Sequence, residues 1–206
     1  MRKLVDLSHP FLNETPAYPG DEPTSLVQRC SVERDGYASF ALRTGLHAGT
    51  HLDAPLHFIA GGKMVKDLPL DTLVGRGRLL DVRTESIIRY KSEYTRLVET
   101  GDIVLLWTNH DSKFGTADYY SEHPIAHGDL VDFFLERKVK MIGMDLPSPE
   151  RPPFELHKRI LGAGIPLIEN LTNLGGLVGM GKFEILAFPL KIASEACPVR
   201  VVAREI

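Results

Sequence analysis

The sequence has little of what several classes of protein require. Its 206 residues include only two cysteines, Cys30 and Cys197, too few for a disulfide framework or a cysteine-built zinc site. The formal net charge is -3 and like charges form no runs, which argues against a nucleic-acid or membrane partner held by bulk electrostatics. No apolar stretch reaches about 18 residues and none follows the basic amino terminus, so we expect neither a transmembrane helix nor a secretory signal. These absences predict a cytoplasmic protein.

The composition is that of a globular protein, since 43% of the residues are hydrophobic and 25% are charged. One domain over residues 1–206 is expected, because domains of about 100–200 residues are the norm. Short apolar runs predict strands over Lys3–Leu7, Leu26–Val32, Ala38–Leu46, Gly77–Val82, Ile103–Trp107, Lys140–Met144, Pro166–Ile168, Phe183–Phe188 and Val199–Ala203. Helical spacing with proline and glycine at the ends predicts helices over Ile87–Glu99, Asp129–Lys138 and Phe154–Leu161. The predicted fold class is α/β, with a mixed, barrel-like sheet core and few helices.

Three of the eight histidines and an aspartate lie within eleven residues. On an extended strand the odd positions share one face, which would point His47, His51, Asp53 and His57 the same way. A helix would also bring His47 and His51 together, but the glycine at position 49 weakens a helical interpretation. We favour a strand that leads into a bend and is kinked at Gly49. Four extended residues span about 13 Å, too far for two imidazoles to reach one ion easily.

Imidazole and carboxylate groups are the ligands that zinc and manganese take in proteins. A group of possible ligands that contains no cysteine and more histidine than one ion needs is typical of a catalytic metal site, which keeps one position open for water. The alternative is a loop of solvated surface histidines. Two downstream residues would complete such a site: His157 in a predicted helix, and Glu169 directly after a buried strand, where an unpaired carboxylate is costly. Each of these two alone also has a purely structural interpretation.

The segment HAGTHLDAPLH, from His47 to His57, resembles the signature of the cyclase-like metal-dependent hydrolases. This family includes bacterial kynurenine formamidase (arylformamidase) and isatin hydrolase. The resemblance covers most of the chain, and the further matches follow the family's order: Asp6-Leu7-Ser8, Tyr18-Pro19-Gly20-Asp21, Gly143–Ser148, His157 with Glu169, Asn170-Leu171 and Ala196–Arg200. Kynurenine formamidases tend to carry alanine at the position of Thr50 and often an arginine at that of Trp107, so these two departures leave the substrate open.

The resemblance implies a swivelling β/β/α fold that holds one or two divalent ions per subunit, with zinc favoured over manganese. By position, it implies that the first ion is bound by His47, His51 and Asp53, that Asp53 bridges to a second ion bound by His157 and Glu169, and that His57 is the general acid and base. It also implies a homo-oligomer, either a dimer or a tetramer.

Together with these residues, the resemblance implies a metal-dependent amidohydrolase that acts on C–N bonds other than peptide bonds. A divalent ion lowers the pKa of bound water from about 15.7 to about 7, so that hydroxide attacks a carbonyl while His57 carries the proton to the leaving nitrogen. The predicted substrate is a small amide, either an aryl formamide such as N-formylkynurenine, from tryptophan catabolism, or a cyclic amide. Tyr18 and Trp107 are the candidate substrate-binding aromatics. Two alternatives stay open: a metal-dependent lyase or cyclase acting on a small carbonyl compound, and a non-catalytic metal-binding protein.

Two further expectations concern polar residues outside the motif. Asp145 follows an apolar strand, and we expect it to hold a ligand imidazole in its tautomer. The polar stretch Asn109–Gly128 contains His110, His123 and His127, and we expect it to be a surface loop or lid with solvated histidines.

Overall fold

The computed structural model describes residues 3–206. Its strands, in chain order, are β1 (Leu4–Asp6), β2 (Ser25–Cys30), β3 (Ser39–Arg43), β4 (His51–Asp53), β5 (Val74–Asp81), β6 (Ile87–Ile88), β7 (Ile103–Trp107), β8 (Ile125–Ala126), β9 (Met141–Met144), β10 (Leu167–Glu169), β11 (Phe183–Ala187), β12 (Ala196–Pro198) and β13 (Val201–Glu205). Its α-helices are α1 (Val32–Asp35), α2 (Tyr94–Leu97), α3 (Asp118–Ser121), α4 (Gly128–Glu136) and α5 (Glu155–Gly162). None of the helices in this range is long and apolar enough to cross a membrane.

Nine strands form one sheet, in the order β1-β13-β11-β5-β7-β9-β10-β4-β12. Strands β5, β7, β9 and β10 are parallel to one another, and the strands on either side of them pair antiparallel. The sheet curls like a half-barrel. Strands β2 and β3 form a separate antiparallel arm, and β6 pairs with β8. The predicted α/β fold with a mixed, barrel-like core is therefore confirmed.

The sheet separates two hydrophobic cores, and strand β7 shows the division. Ile103, Leu105 and Trp107 pack in the first core, whereas Val104 and Leu106 pack in the second, because successive side chains of a strand point to opposite faces. Both faces of β7 are covered, which explains why its sequence is continuously apolar. Helices α4 and α5 close the second core. Each fully buried leucine or isoleucine stabilises the fold by roughly 1.5–3 kcal/mol relative to an exposed one.

Each predicted strand overlaps an observed one, but the helix predicted over Ile87–Glu99 is wrong. Ile87–Ile88 is a strand, and only Tyr94–Leu97 is helical. Two adjacent β-branched residues lose rotamer freedom in a helix, and Ile88 is fully buried in the second core. The sequence did not predict β8 or β12.

The expectation of solvated histidines over residues 109–128 is wrong for two of the three. His110 and His123 are buried, with exposed fractions of 7% and 4%. His110 Nε2 lies 2.8 Å from the carbonyl oxygen of Tyr119. His127 is half-exposed, and its Nδ1 accepts a hydrogen bond from the Asp129 backbone N–H at the start of α4.

Candidate active site

The segment from His47 to His57 is bent rather than extended. Only His51–Asp53 is strand, while His47 lies in the preceding turn and His57 ends a 3₁₀ turn over Pro55–His57. Gly49 has a φ of 61°, in the left-handed region that glycine adopts most readily. The kink predicted at Gly49 is therefore present. His47 and His57 consequently reach the site from turns at the two ends of the strand, and not from the face of one long strand.

Strand β4 lies between β10 and β12, and this pairing brings Glu169 to the motif. His51 is the direct cross-strand partner of Glu169, and such partners have Cβ atoms about 4.5–5.5 Å apart. Leu52 points into the first core, so His51 and Asp53 face the other side of the sheet.

Five predicted ligands converge on that side: His47, His51, Asp53, His157 and Glu169. His47 Nδ1 lies 3.1 Å from Asp53 Oδ1. His51 Nε2 lies 3.5 Å from both Asp53 Oδ1 and Glu169 Oε2, and His157 Nε2 lies 3.3 Å from Glu169 Oε1. They form two groups, His47/His51/Asp53 and Asp53/His157/Glu169, in each of which the possible ligand atoms lie within 4.8 Å of one another. The structure thus brings all five side chains together.

The chemistry of these groups fits one or two divalent ions. His51 Nε2 and both carboxylate oxygens of Asp53 are buried with no hydrogen-bond partner among the described residues. A buried carboxylate is strongly destabilising unless a cation or hydrogen-bond donors compensate it. Imidazole and carboxylate together suit zinc or manganese.

Carboxylates set the pKa values of the buried imidazoles in the metal-free cluster. Burial lowers the pKa of His51, but the charges of Asp53 and Glu169 outweigh burial and raise this pKa to about 9. Burial likewise lowers the pKa of His157, but hydrogen bonds to Glu150 and Glu169 outweigh burial and raise this pKa to about 9. Burial raises the pKa of Asp53, yet the imidazolium charges of the cluster hold it well below its ordinary value. Protons therefore occupy the cluster when no cation does.

We expect the metal-free protein to become less stable as the pH rises from 6.5 to about 9. The folded-state pKa values of His51 and His157 exceed the ordinary value of 6.5, so their contribution is complete below pH 6.5 and is lost as the pH rises through about 9. Urea unfolding in the presence of a chelator, followed by circular dichroism across this range, measures the effect. His157→Gln should reduce the dependence, whereas His123→Gln, at another buried histidine, should keep it. A midpoint that stays constant or rises through this range would contradict the expectation.

His57 lies beside the cluster and belongs to neither ligand group. Its ring centroid is 4.3 Å from that of His47 and 6.2 Å from that of His157. It lines a cavity of about 380 Å³ whose wall also includes every predicted ligand side chain except that of Asp53. Burial lowers the pKa of His57, although the charge of Asp53 opposes this. The imidazole is therefore neutral near pH 7 and can accept a proton.

Aromatic side chains form much of the cavity wall. Tyr18 lines the cavity, as predicted for a substrate-binding residue, and packs edge-on against Tyr120 with ring centroids 5.8 Å apart. Phe58 and Phe154 line it as well. Trp107 does not, and its prediction as a pocket residue is corrected. It packs in the first core, on the sheet face opposite the ligands, and the Arg83 guanidinium stacks 3.9 Å from its ring centroid.

Asp145 contacts no ligand imidazole, contrary to expectation. Its carboxylate accepts hydrogen bonds from the Thr108 hydroxyl at 2.7 Å and the Asn109 N–H at 2.7 Å. Glu150, which sequence reasoning missed, has the role expected of Asp145, because its Oε1 lies 3.0 Å from His157 Nδ1. The only signal in the sequence was an acidic residue in a proline-rich segment, which does not reveal which side chain it contacts.

Comparison with known proteins identifies the family of this chain. The family model described as "Putative cyclase" matches residues 5–151. The chain is 32% identical over 207 residues to a kynurenine formamidase of Bacillus cereus, covering 98% of this chain and 97% of that protein. It is also 32% identical over 211 residues to the kynurenine formamidase of Bacillus anthracis, covering 99% of this chain and 98% of that protein.

Solved structures share the fold. Isatin hydrolase A from Ralstonia solanacearum superposes with a TM-score of 0.88 at 22% identity, covering 100% of this chain and 92% of that one. A structure described as a potential metal-dependent hydrolase with cyclase activity gives a TM-score of 0.82 at 26% identity, covering 100% of this chain and 99% of that one. The chain belongs to the cyclase family of metal-dependent hydrolases, as the motif from His47 to His57 predicted.

Proposed function

We propose that this protein is a metal-dependent hydrolase of a small amide, with His57 as general acid and base. The proposed substrate is an aryl formamide such as N-formylkynurenine, or a cyclic amide. The observation that carries the proposal is the convergence of five predicted ligand side chains. Some of their buried atoms lack a hydrogen-bond partner. The cavity beside them is also lined by His57, which belongs to neither ligand group. The kynurenine formamidases that share 32% identity over nearly the whole chain support the class of bond. We further propose that residues 1–206 form one domain, since one sheet serves both cores.

The proposed ligands are the two groups described above, which share Asp53. When bound there, a divalent ion lowers the pKa of water and polarises a carbonyl oxygen. Zinc is favoured, and manganese takes the same donor types.

His57 supplies the proton transfer in this mechanism. With its pKa held low by burial, it is neutral and takes a proton from the attacking water. The water oxygen bonds to the carbonyl carbon, and the C–N bond then breaks as His57 returns the proton to the leaving nitrogen. The products are a carboxylic acid and an amine, and His57 ends in its starting form. Phe58 and Phe154 exclude water from the reacting atoms and orient an aryl ring.

Outside the proposed metal site, the side-chain charges around the cavity are negative and favour an ammonium group on the substrate over a carboxylate. Among the described residues that line it, the carboxylates Asp21 and Glu195 are present and lysine and arginine are not. An ammonium group, such as that of N-formylkynurenine, would be attracted to these carboxylates, whereas a lone carboxylate would be repelled.

Elemental analysis of protein purified without added metal, combined with a substrate panel, tests the proposed function. We expect one or two zinc or manganese ions per chain, and hydrolysis that a chelator abolishes and the metal restores. The two products of an aryl formamide should together weigh one water more than the substrate, and the single product of a cyclic amide or a lactone should gain the mass of one water. A product isomeric with its substrate would indicate the lyase or cyclase alternative, and a metal-bound protein inactive on such compounds would favour the non-catalytic one.

Within that panel, a matched pair of aryl formamides tests the charge preference. The compound carrying an ammonium group should have a kcat/KM about two- to fivefold higher than the one carrying a carboxylate, because exposed charges contribute about 1 kcal/mol at most. The ratio should shrink at high salt and in Asp21→Asn. Equal values at low salt would contradict the preference.

The predicted homo-oligomer stays a prediction. The arm of β2 and β3 exposes apolar side chains, Phe40 and Leu42 among them, which is consistent with it.

A further inference from the structure

Glu150 is a buried carboxylate outside the predicted ligand set. It is 8% exposed, and its one ion-pair partner among residues 3–206 is His157. Its Oε1 accepts a hydrogen bond of 2.7 Å from the His157 backbone N–H and lies 3.0 Å from His157 Nδ1. A buried charge that contacts one residue twice needs a reason, because removing it from water costs several kcal/mol.

The backbone holds this carboxylate in place. The Glu150 N–H donates to Ser148 Oγ at 3.2 Å. Helix α5 begins after Phe154, whose side chain makes no capping hydrogen bond, so Glu150 takes the place of the cap by accepting from an N–H of the first turn. The carboxylate is therefore fixed relative to the helix that carries His157.

We propose that Glu150 is the positioning residue for His157. It holds an imidazole proton on Nδ1, so that Nε2, which faces Glu169, is the nitrogen left to bind a cation. The inference rests on the proposed function, because it concerns a metal ligand of the proposed site.

The other two ligand imidazoles have weaker counterparts. His51 Nδ1 lies 2.9 Å from the neutral carbonyl oxygen of Gly49, and His47 Nε2 lies 3.6 Å from Glu195 Oε1, on a half-exposed side chain. Of these three imidazoles, only that of His157 has its second ring nitrogen, the one turned away from the ligand cluster, at hydrogen-bond distance from a buried carboxylate. Loss of the Glu150 charge should therefore weaken metal binding by the Asp53/His157/Glu169 group and spare the His47/His51/Asp53 group.

Titration of the metal-free protein with Zn²⁺ tests this, by calorimetry with a competing chelator. Glu150→Gln keeps the size of the side chain and an oxygen for the helix N–H. We expect it to weaken one binding event about 10–100-fold, the usual effect of removing a partner of a metal ligand, and to leave the other within about threefold. Glu155→Gln, on the exposed face of the same helix, should bind as the wild type does.

Three outcomes separate the possibilities. If Glu150→Gln binds Zn²⁺ as tightly as the wild type does, Glu150 is only a helix cap and the inference is overturned. This holds whether or not the thermal midpoint falls, and whether the wild type binds one ion or two. A wild type that binds neither Zn²⁺ nor Mn²⁺ would overturn the proposed function itself. If Glu150→Gln does not fold, long-range ¹H–¹⁵N NMR of the Zn²⁺-loaded wild type decides: the His157 proton must be on Nδ1, and a proton on Nε2 would overturn the inference.

Discussion

Replacing His57 with glutamine should lower kcat/KM about 10²- to 10⁴-fold, the usual contribution of a general acid and base, and leave the metal content unchanged. Glutamine fills similar space but cannot accept and return a proton. His57 belongs to neither ligand group, so its loss removes proton transfer without removing a ligand. Steady-state kinetics on the best substrate of the panel, with elemental analysis of the same sample, measures both quantities.

A matched variant guards against a general effect of losing a histidine. His123→Gln replaces another buried imidazole, which lies outside the cavity lining, and should change kcat/KM less than about threefold. Near-wild-type activity in His57→Gln would remove its catalytic role. Loss of metal in that variant would instead identify His57 as a ligand.

The short motif predicted more of the site than its length suggests. Alternation along a strand places His51 and Asp53 on one face, and a glycine between two histidines marks a backbone that L side chains rarely adopt. Both features are local and can be read from adjacent residues. The same local reasoning overestimated the strand, since only His51–Asp53 pairs in the sheet.

Contacts between distant segments could not be derived from the sequence alone. Glu169 reaches the motif because β10 pairs with β4 in a register that places it opposite His51. A shift of one residue would have turned Glu169 into the first core. The carboxylate at the end of a buried strand was a valid signal, but the strand that it would meet was not visible.

The direction of the Trp107 side chain could not be predicted from the sequence either. A continuously apolar strand has no polar face, so its sequence does not tell which residues point toward the site. Trp107 shares its face with Ile103 and Leu105 and points away from the ligands. Glu150 was missed for a related reason, because its role depends on the turn that returns it to the start of α5.

Replacing Asp53 with asparagine should have the largest effect on metal binding. Asp53 is the one residue common to both ligand groups, so its charge contributes to every ion that the site holds. We expect the affinity for all bound Zn²⁺ to fall by more than about 100-fold, beyond the loss usual for a partner of a ligand, and activity to be lost with it.

His51→Ala removes a ligand from one group only and should spare one ion where the wild type binds two. Asp71→Asn, an exposed carboxylate outside the cavity lining, should bind as the wild type does. Elemental analysis after dialysis against a weak chelator ranks the variants, and circular dichroism of the metal-free proteins checks that each is folded. If a folded Asp53→Asn protein kept its full metal content, the two groups would not share a ligand, and the arrangement proposed for this site would be wrong.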